Sequence, residues 1–261
     1  RFLALPTIAQ LLRRGTPVVR TLHNVIPHDG SVHGPGQHLR DALEAMPRLE
    51  IHLVPGDEPT KPVLTTLIPH GSYREPYALV VPHVARSGRI LHFGRLEPYK
   101  GVPELLAAMT GTLAESLRIV GAPSNAQVAR AIRDASVADS RISYRFGFVP
   151  DEELAREIFE AALCVFPYRE LHSSGAVLVA LSLDRPVLVP RTPTTEALIA
   201  EAGEEWVRIY DELSAAELDA ALTWAQETRV TARPALSHRT WQDVRTAHAA
   251  AYRTALSANN D

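Results

Sequence analysis

The sequence predicts an α/β protein with a doubly wound parallel sheet in its C-terminal region and a partial Rossmann-like domain before it. From residue 88 onward, short apolar runs alternate with segments of helical apolar spacing, which is typical of a parallel sheet covered by helices on both faces. Residues 1–85 hold only two or three such runs, too few for a complete domain of this kind. Residues 236–261 follow a proline and predict one amphipathic helix.

The region 86–235 contains the complete alternation, and each strand is followed by a helix. Small polar residues or a proline open several of these helices, and Asp151 is placed to cap one of them. The predicted strands are 89–96, 117–120, 142–149, 163–166, 186–189 and 206–210, and the predicted helices are 103–113, 125–135, 151–162, 173–183, 195–202 and 215–228.

The region 1–85 is less regular, since a long stretch rich in His, Gly and Pro follows its first strand. Because so few strands are present, we expect the chain to begin partway through an N-terminal domain. The predicted helices are 2–14 and 39–46, and the predicted strands are 17–22, 51–54 and, with a weaker pattern, 64–68.

Composition excludes several classes of protein. The net charge is −3, so the chain has no general basic field for nucleic acid. Cys164 is the only cysteine, which excludes a disulfide framework and a cysteine-based metal site. No apolar run approaches the ~20 residues needed to cross a bilayer.

The strongest motif is HFGRLEPYKG, residues 92–101. A predicted strand ends at Gly94, Arg95 follows at once, and Lys100 comes at the entry to a helix. Ligands bind at the carboxyl ends of strands in open α/β sheets, and glycine allows them to approach the backbone. Two cations at such an edge suit a diphosphate, although solvated charges in an ordinary turn are the alternative.

A second motif, PYRELHSSG at residues 167–175, also lies where a strand ends and a helix begins. Ser173, Ser174 and Gly175 have small side chains, which leave the free N–H groups of a helix N-terminus exposed to an anion. A plain serine N-cap is the alternative. Because both motifs follow strands of one sheet, together they favour an anion site at its edge.

These segments, in this order, resemble the retaining GT-B glycosyltransferases grouped as family 4. FGRLEPYKGVPELLAAM, RFGFVPDEELAREIFEAALCVFPY and SSGAVLVALSLDRPVLVP are similar to the C-terminal domain of that family. RTLHNVIPHD and IPHGSYREPY are similar to parts of its N-terminal domain. The resemblance implies an acceptor-side domain at 1–85, a nucleotide-sugar-binding domain at 86–235, and a helix at 236–261 that crosses back to the N-terminal domain.

The resemblance also implies donor-binding residues at the ends of three strands. They are Gly94, Arg95, Lys100, Phe148, Val149, Ser173, Ser174 and Gly175. Arg95 and Lys100 would hold the diphosphate and offset the charge on the departing nucleotide. His23 would be the third catalytic residue, reaching the donor sugar or its phosphate. With two fixed cations and a helix N-terminus, the transfer would need no metal ion and no cofactor beyond the donor.

The sequence departs from the family in one respect. The family usually has two glutamates, eight positions apart, around the donor sugar, and this chain has Leu171 and Val179 there. Glu170 is one position away from the first. Because of this departure, the sequence does not define the donor sugar or the stereochemical outcome of the transfer. A homologue without catalytic activity is also an alternative.

His28 and Asp29 lie in the polar stretch after the first strand and are predicted to face the acceptor. Asp29 is a candidate general base if the transfer inverts the anomeric centre. A metal site from His28, Asp29 and His33 is the less favoured alternative, and we predict no metal.

We therefore expect an enzyme of polysaccharide biosynthesis that moves a hexosyl group from a GDP-, UDP- or ADP-sugar to a saccharide or lipid-linked saccharide, with retention implied by the resemblance. The alternatives are a non-catalytic sugar-nucleotide-binding homologue, a sugar epimerase and a phosphorylase, the last of which would need a lysine carrying pyridoxal. A cytoplasmic location is expected. The resemblance leaves open a peripheral membrane contact through the earlier part of the N-terminal domain.

Overall fold

The structure is a computed structural model, and it describes residues 10, 13–14, 16–22, 47–54, 63–78, 88–169, 175–227 and 232–258. The predicted helix 39–46 and most of the predicted helix 2–14 lie outside these residues. The chain divides into two compact units, one comprising Arg1–Gly71 with His238–Asp261 and the other Ser72–Ser237.

The larger unit is built on a six-stranded sheet in which every neighbouring pair of strands is parallel. Numbered along the described chain, its strands follow the order β6-β5-β4-β7-β8-β9. The chain thus adds β5 and β6 on one side of β4, and then adds β7, β8 and β9 on the other side of β4. The strands are β4 Arg89–Phe93, β5 Ser116–Gly121, β6 Ile142–Phe146, β7 Leu163–Val165, β8 Val187–Pro190 and β9 Val207–Tyr210.

Helices connect these strands, and an apolar core lies on each face of the sheet. Side chains that alternate along β4 show this directly, because Leu91 and Phe93 enter one core while Ile90 enters the other. The predicted doubly wound sheet is confirmed. The helices are α1 Val102–Met109, α2 Ala126–Ala138, α3 Asp151–Glu160, α4 Gly175–Ser182, α5 Pro193–Ala202 and α6 Ala215–Glu227.

Two strands of the larger sheet end three residues earlier than the sequence predicts, and in both cases a glycine turns the chain away. Strand β4 ends at Phe93 before Gly94, whose φ is +116°, and β6 ends at Phe146 before Gly147, whose φ is +106°. Asp151 was predicted as a helix cap, but it is the first residue of α3 and Pro150 occupies the cap position. Its carboxylate instead accepts a hydrogen bond from the Tyr77 hydroxyl at 3.4 Å.

The smaller unit contains a three-stranded parallel sheet and the last helix. Its strands are β1 Val18–Leu22, β2 Pro47–His52 and β3 Leu64–Leu67, and its helix is α7 Trp241–Ser257. Ala251 and Ala255 of α7 are buried against Leu49, Ile51 and Ile68, which form the core of this unit. The described helices include none with the length and apolarity required to span a bilayer.

Residues 72–78 belong to the larger unit, although the sequence places its start at residue 86. The Tyr73 N–H donates to the Ser182 hydroxyl at 2.9 Å, and the Arg74 guanidinium donates to the Pro234 carbonyl at 2.8 Å. Contacts between residues so far apart in the chain leave no trace in local sequence pattern, which is why the boundary differs.

Candidate functional site

The candidate site lies at the carboxyl ends of β4 and β7. These strands are neighbours in the sheet, and the order of the strands reverses between them. Ligands of open α/β sheets bind outside the carboxyl ends of the strands at such a switch point. The two motifs that the sequence singles out follow β4 and β7 directly, so the fold brings them to one edge.

The loops that follow these two strands are held together by their backbones. The Arg169 N–H donates to the Tyr99 carbonyl at 2.9 Å. Gly101 has a φ of +67°, and a Cβ on it would lie 1.8 Å from the Pro167 carbonyl oxygen. Only glycine allows the backbone at position 101 to approach Pro167 so closely. The position of Lys100 relative to β7 therefore depends on Gly101.

Replacing Gly101 by Ala is expected to destabilise the protein by roughly 2–4 kcal/mol, since the methyl group meets a carbonyl oxygen and the backbone is strained at positive φ. Gly111 is a matched control, because its φ is also positive at +96° but the atom nearest to the added Cβ, the Cβ of Ala215, would be 3.9 Å away. Urea unfolding of both variants measures the difference. Equal losses of stability would show that the contact with Pro167 does not constrain the loop.

Lys100 is the central cation of the site. Its Nζ lies 4.9 Å from the centroid of the Tyr168 ring and 3.4 Å from where a Cβ on Gly94 would stand. Burial lowers the pKa of Lys100 to about 8, while nearby Glu97 raises it and Arg95 lowers it further. The ammonium is therefore partly desolvated and lies beside Gly94, which has no side chain. An anion that binds there interacts strongly with the ammonium, because little water screens the charges.

Arg95 is paired with the carboxylate of Glu97. One of its Nη atoms lies 2.8 Å from Glu97 Oε1, and its side chain is 78% exposed. Ion pairs as exposed as this one contribute less than about 1 kcal/mol. Arg95 can therefore turn toward a phosphate at little cost in free energy.

His92 lies directly beneath this edge and is fully buried. Its Nδ1 is 2.8 Å from the Val165 carbonyl oxygen, so the ring donates to β7. Burial lowers the pKa of His92 to about 4, with a further contribution from the charge of Lys100. The imidazole is therefore neutral at physiological pH and adds no charge to the site.

Helix α4 begins at the same edge. Its first residue is Gly175, and the Cβ of Ala176 lies 3.9 Å from the position that a Cβ on Gly94 would take. The N-terminal end of a helix carries a partial positive charge, which favours an anion near Gly94 and Lys100. Ser173 and Ser174, which the sequence also assigns to this feature, lie outside the described residues.

Phe148 and Val149 follow β6, on the other side of β5 from the switch point. Phe148 is 85% exposed, whereas Val149 packs against the core of the sheet. Since adjacent strands are about 4.8 Å apart, this loop begins about 10 Å from Gly94. The structure thus places these two residues to one side of the predicted phosphate-binding positions.

The remaining predicted site residues, His23, His28 and Asp29, lie outside the described residues. Over the described parts of the chain, no three His, Cys, Asp or Glu side chains are grouped so that they could hold a metal ion.

A pocket of about 600 Å³ lies elsewhere, where β4, β5 and β6 begin. Its arginines face carboxylates, since Arg89 pairs with Glu157 and Glu160, and Arg118 pairs with Glu157. We assign it a structural role because its charges are mutually neutralised and it is at the opposite ends of the strands from both motifs.

Sequence reasoning missed three residues at the site. Glu97 and Tyr168 lie inside the two motifs, but spacing alone did not show that they contact Arg95 and Lys100. Tyr73 lies outside both motifs, and its hydroxyl is 3.4 Å from where a Cβ on Gly175 would stand.

Residues 87–226 match the family described as Glycosyl transferases group 1. A GDP-mannose:glycolipid 4-beta-D-mannosyltransferase of Xanthomonas campestris pv. campestris is 37% identical over 263 residues, which covers 97% of this chain and 73% of that protein.

Solved structures share the fold at low identity. Sucrose-phosphate synthase from Thermosynechococcus elongatus has a TM-score of 0.68 at 17% identity, over 97% of this chain and 71% of that one. The α,α-trehalose 6-phosphate synthase of Burkholderia multivorans has a TM-score of 0.71 at 13% identity, over 97% and 70%. The α/β fold is thus of the predicted GT-B type. Taken with the sheet and its switch-point edge, the family match and the 37% identical relative show that this chain is a glycosyltransferase and belongs to glycosyl transferases group 1.

Proposed function

We propose that this chain transfers a mannosyl group from GDP-mannose to a lipid-linked saccharide, with inversion at the anomeric carbon and without a metal ion. The observation that carries the proposal is the pair of cations, Arg95 and Lys100, beside the start of α4 at the switch point. A nucleoside diphosphate is the leaving group of such a transfer, and stabilising its developing charge is the main catalytic task.

The donor and the acceptor are proposed from the mannosyltransferase relative. Its name specifies GDP-mannose as donor and a glycolipid as acceptor, and its similarity extends over 97% of this chain. The solved structures support neither choice, because their identities to this chain are below 20%.

Inversion replaces the retention that the family resemblance implies. The relative's name specifies a 4-beta-D-mannosyl product, whereas mannose in GDP-mannose is joined to phosphate in the α configuration. The sequence offers a consistent reason, since Leu171 and Val179 stand where two glutamates are expected around the donor sugar. Val179 is buried in the core beneath α4, so its position provides no polar group to the site.

In the proposed reaction, the acceptor hydroxyl oxygen forms a bond to the anomeric carbon while the bond from that carbon to the phosphate oxygen breaks. The hydroxyl proton passes to a general base, for which Asp29 is the candidate. GDP leaves with its charge offset by Arg95, Lys100 and the N–H groups at the start of α4. His23 is the proposed contact to the donor sugar or its phosphate.

Incubation with GDP-mannose and a lipid-linked saccharide in the presence of EDTA is expected to yield GDP and a β-linked mannosyl product. The anomeric configuration is read by NMR from the coupling between carbon and hydrogen at the new linkage. Activity lost in EDTA and restored by Mg²⁺ or Mn²⁺ would refute metal independence. An α-linked product would refute inversion, and transfer only from UDP- or ADP-sugars would refute the donor.

GDP affinity is expected to fall as pH rises through about 8, because that is the pKa of Lys100 in the free protein. About nine-tenths of Lys100 is charged at pH 7 and about one-tenth at pH 9, so binding at pH 9 first requires proton uptake. Calorimetric titration from pH 6.5 to 9.5 measures the change. The Lys100→Ala variant is expected to show no such dependence, and a flat wild-type profile would place Lys100 away from the phosphates.

A further inference from the structure

Glu97 lies in the turn that joins the two proposed phosphate-binding cations. Its N–H donates to the Arg95 carbonyl at 3.2 Å, and its carbonyl accepts a hydrogen bond from the Lys100 N–H at 3.0 Å. Its side chain is only 20% exposed. The turn therefore sets the position of the Glu97 carboxylate, which has little freedom to leave the two cations.

The carboxylate of Glu97 contacts Arg95 and does not cap the helix that follows it. Glu97 precedes the short 3-10 helix Pro98–Lys100, but its side chain makes no capping hydrogen bond there. Its Oε1 lies 2.8 Å from an Nη atom of Arg95. Since backbone hydrogen bonds already hold the turn, the carboxylate acts on the cations of the site rather than on the fold of the loop.

A phosphate and the Glu97 carboxylate present the same chemistry to Arg95, because both are anions whose oxygen atoms accept hydrogen bonds from a guanidinium. Arg95 is the mobile partner of the pair, since its side chain is 78% exposed. When the guanidinium turns toward a phosphate, its contact with Glu97 is lost, and a fixed carboxylate remains that repels the phosphate. Both effects weaken the binding of a diphosphate.

We propose that Glu97 competes with the diphosphate for Arg95, which makes Glu97 a positioning residue that limits the affinity of the site and favours release of the nucleoside diphosphate product. In each transfer, the guanidinium exchanges the carboxylate for the diphosphate and returns to the carboxylate as GDP leaves. The inference rests on the proposed function, because it takes Arg95 and Lys100 to be the phosphate-binding cations.

The test is a calorimetric titration of GDP into the wild type and into the Glu97→Gln variant. Glutamine keeps the size of the side chain and removes its charge. GDP is expected to bind about three- to tenfold more tightly, because an exposed ion pair no longer has to be broken and a repelling charge is gone. A disrupted turn would weaken binding instead, so the direction of the change separates the two effects.

Glu217→Gln is the matched control. Glu217 is 25% exposed and its Oε1 lies 2.9 Å from Nε of Arg208, which is on β9, three strands away from β4. The control makes the same change of net charge and also removes the carboxylate of an arginine pair, so it should leave GDP affinity unchanged. Thermal denaturation of both variants checks that the fold is intact.

An Arg95→Ala background tests whether the effect passes through Arg95. Glu97→Gln is expected to change GDP affinity there by less than about twofold, the scatter of independent effects, because no guanidinium is left to compete for. An equal gain with and without Arg95 would overturn the proposed exchange, since the lost charge would then act by itself.

Unchanged GDP affinity in Glu97→Gln would also overturn the inference, and so would weaker binding, which would show that the carboxylate orients Arg95 for the phosphate. Failure of the proposed function has a different signature, because the wild type itself would then bind no nucleoside diphosphate and the inference would fall with it. If the wild type prefers UDP or ADP, the donor is wrong and the same comparison with that nucleotide decides the role of Glu97.

Discussion

Replacing Lys100 by Ala is expected to weaken GDP binding by about ten- to a hundredfold, and replacing Arg95 by Ala should have an effect in the same range. A hydrogen bond between charged partners contributes roughly 1.5–3 kcal/mol, which corresponds to that change in affinity. Turnover is expected to fall further, because charge on the leaving phosphate grows in the transition state and only that extra interaction lowers the barrier.

Lys100→Arg is expected to restore little of this loss. The Lys100 ammonium lies close to Gly94 and over the ring of Tyr168, so a planar guanidinium is expected to fit this space less well than a compact charge. Lys61→Ala, which removes the only other lysine, is the control and should leave GDP binding unchanged. Wild-type affinity in both alanine variants, with the fold intact by circular dichroism, would show that the phosphates bind elsewhere.

Asp29→Asn is expected to reduce kcat by about a hundredfold to ten-thousandfold, the range that a positioned general base contributes. Asparagine preserves the size of the side chain but cannot accept the proton of the acceptor hydroxyl. GDP affinity should remain at its wild-type value, because the proposed phosphate-binding groups belong to Arg95, Lys100 and helix α4. The two readouts together separate a lost base from a misfolded protein.

His33→Gln is the control for Asp29, since it changes a polar residue of the same stretch that has no part in the proposed transfer. It should retain wild-type turnover. If Asp29→Asn kept turnover within tenfold of the wild type, another group would accept the proton, and the role proposed for Asp29 would be wrong.

The sequence by itself determined the fold class and the two strand-end motifs. Alternating apolar runs and helical spacing are local patterns, so they predicted the strands and helices of the larger sheet, with ends displaced by a few residues. Gly94 and Lys100 were likewise recognisable, because a glycine and a cation after a buried strand have a local meaning. The positive φ angles of Gly94 and Gly147, which end β4 and β6 early, were not predicted, because glycine adopts negative φ angles as readily as positive ones.

Only the tertiary structure decided how these pieces meet. Strand order made β4 and β7 neighbours, and packing placed the Lys100 ammonium over Tyr168, where burial lowers its pKa to about 8. Tyr73 and Ser182 are 109 positions apart in the chain, yet a hydrogen bond joins them and brings the Tyr73 hydroxyl to the start of α4. Proton affinity and long-range contact depend on what surrounds a side chain after folding, and one-dimensional spacing does not contain that information.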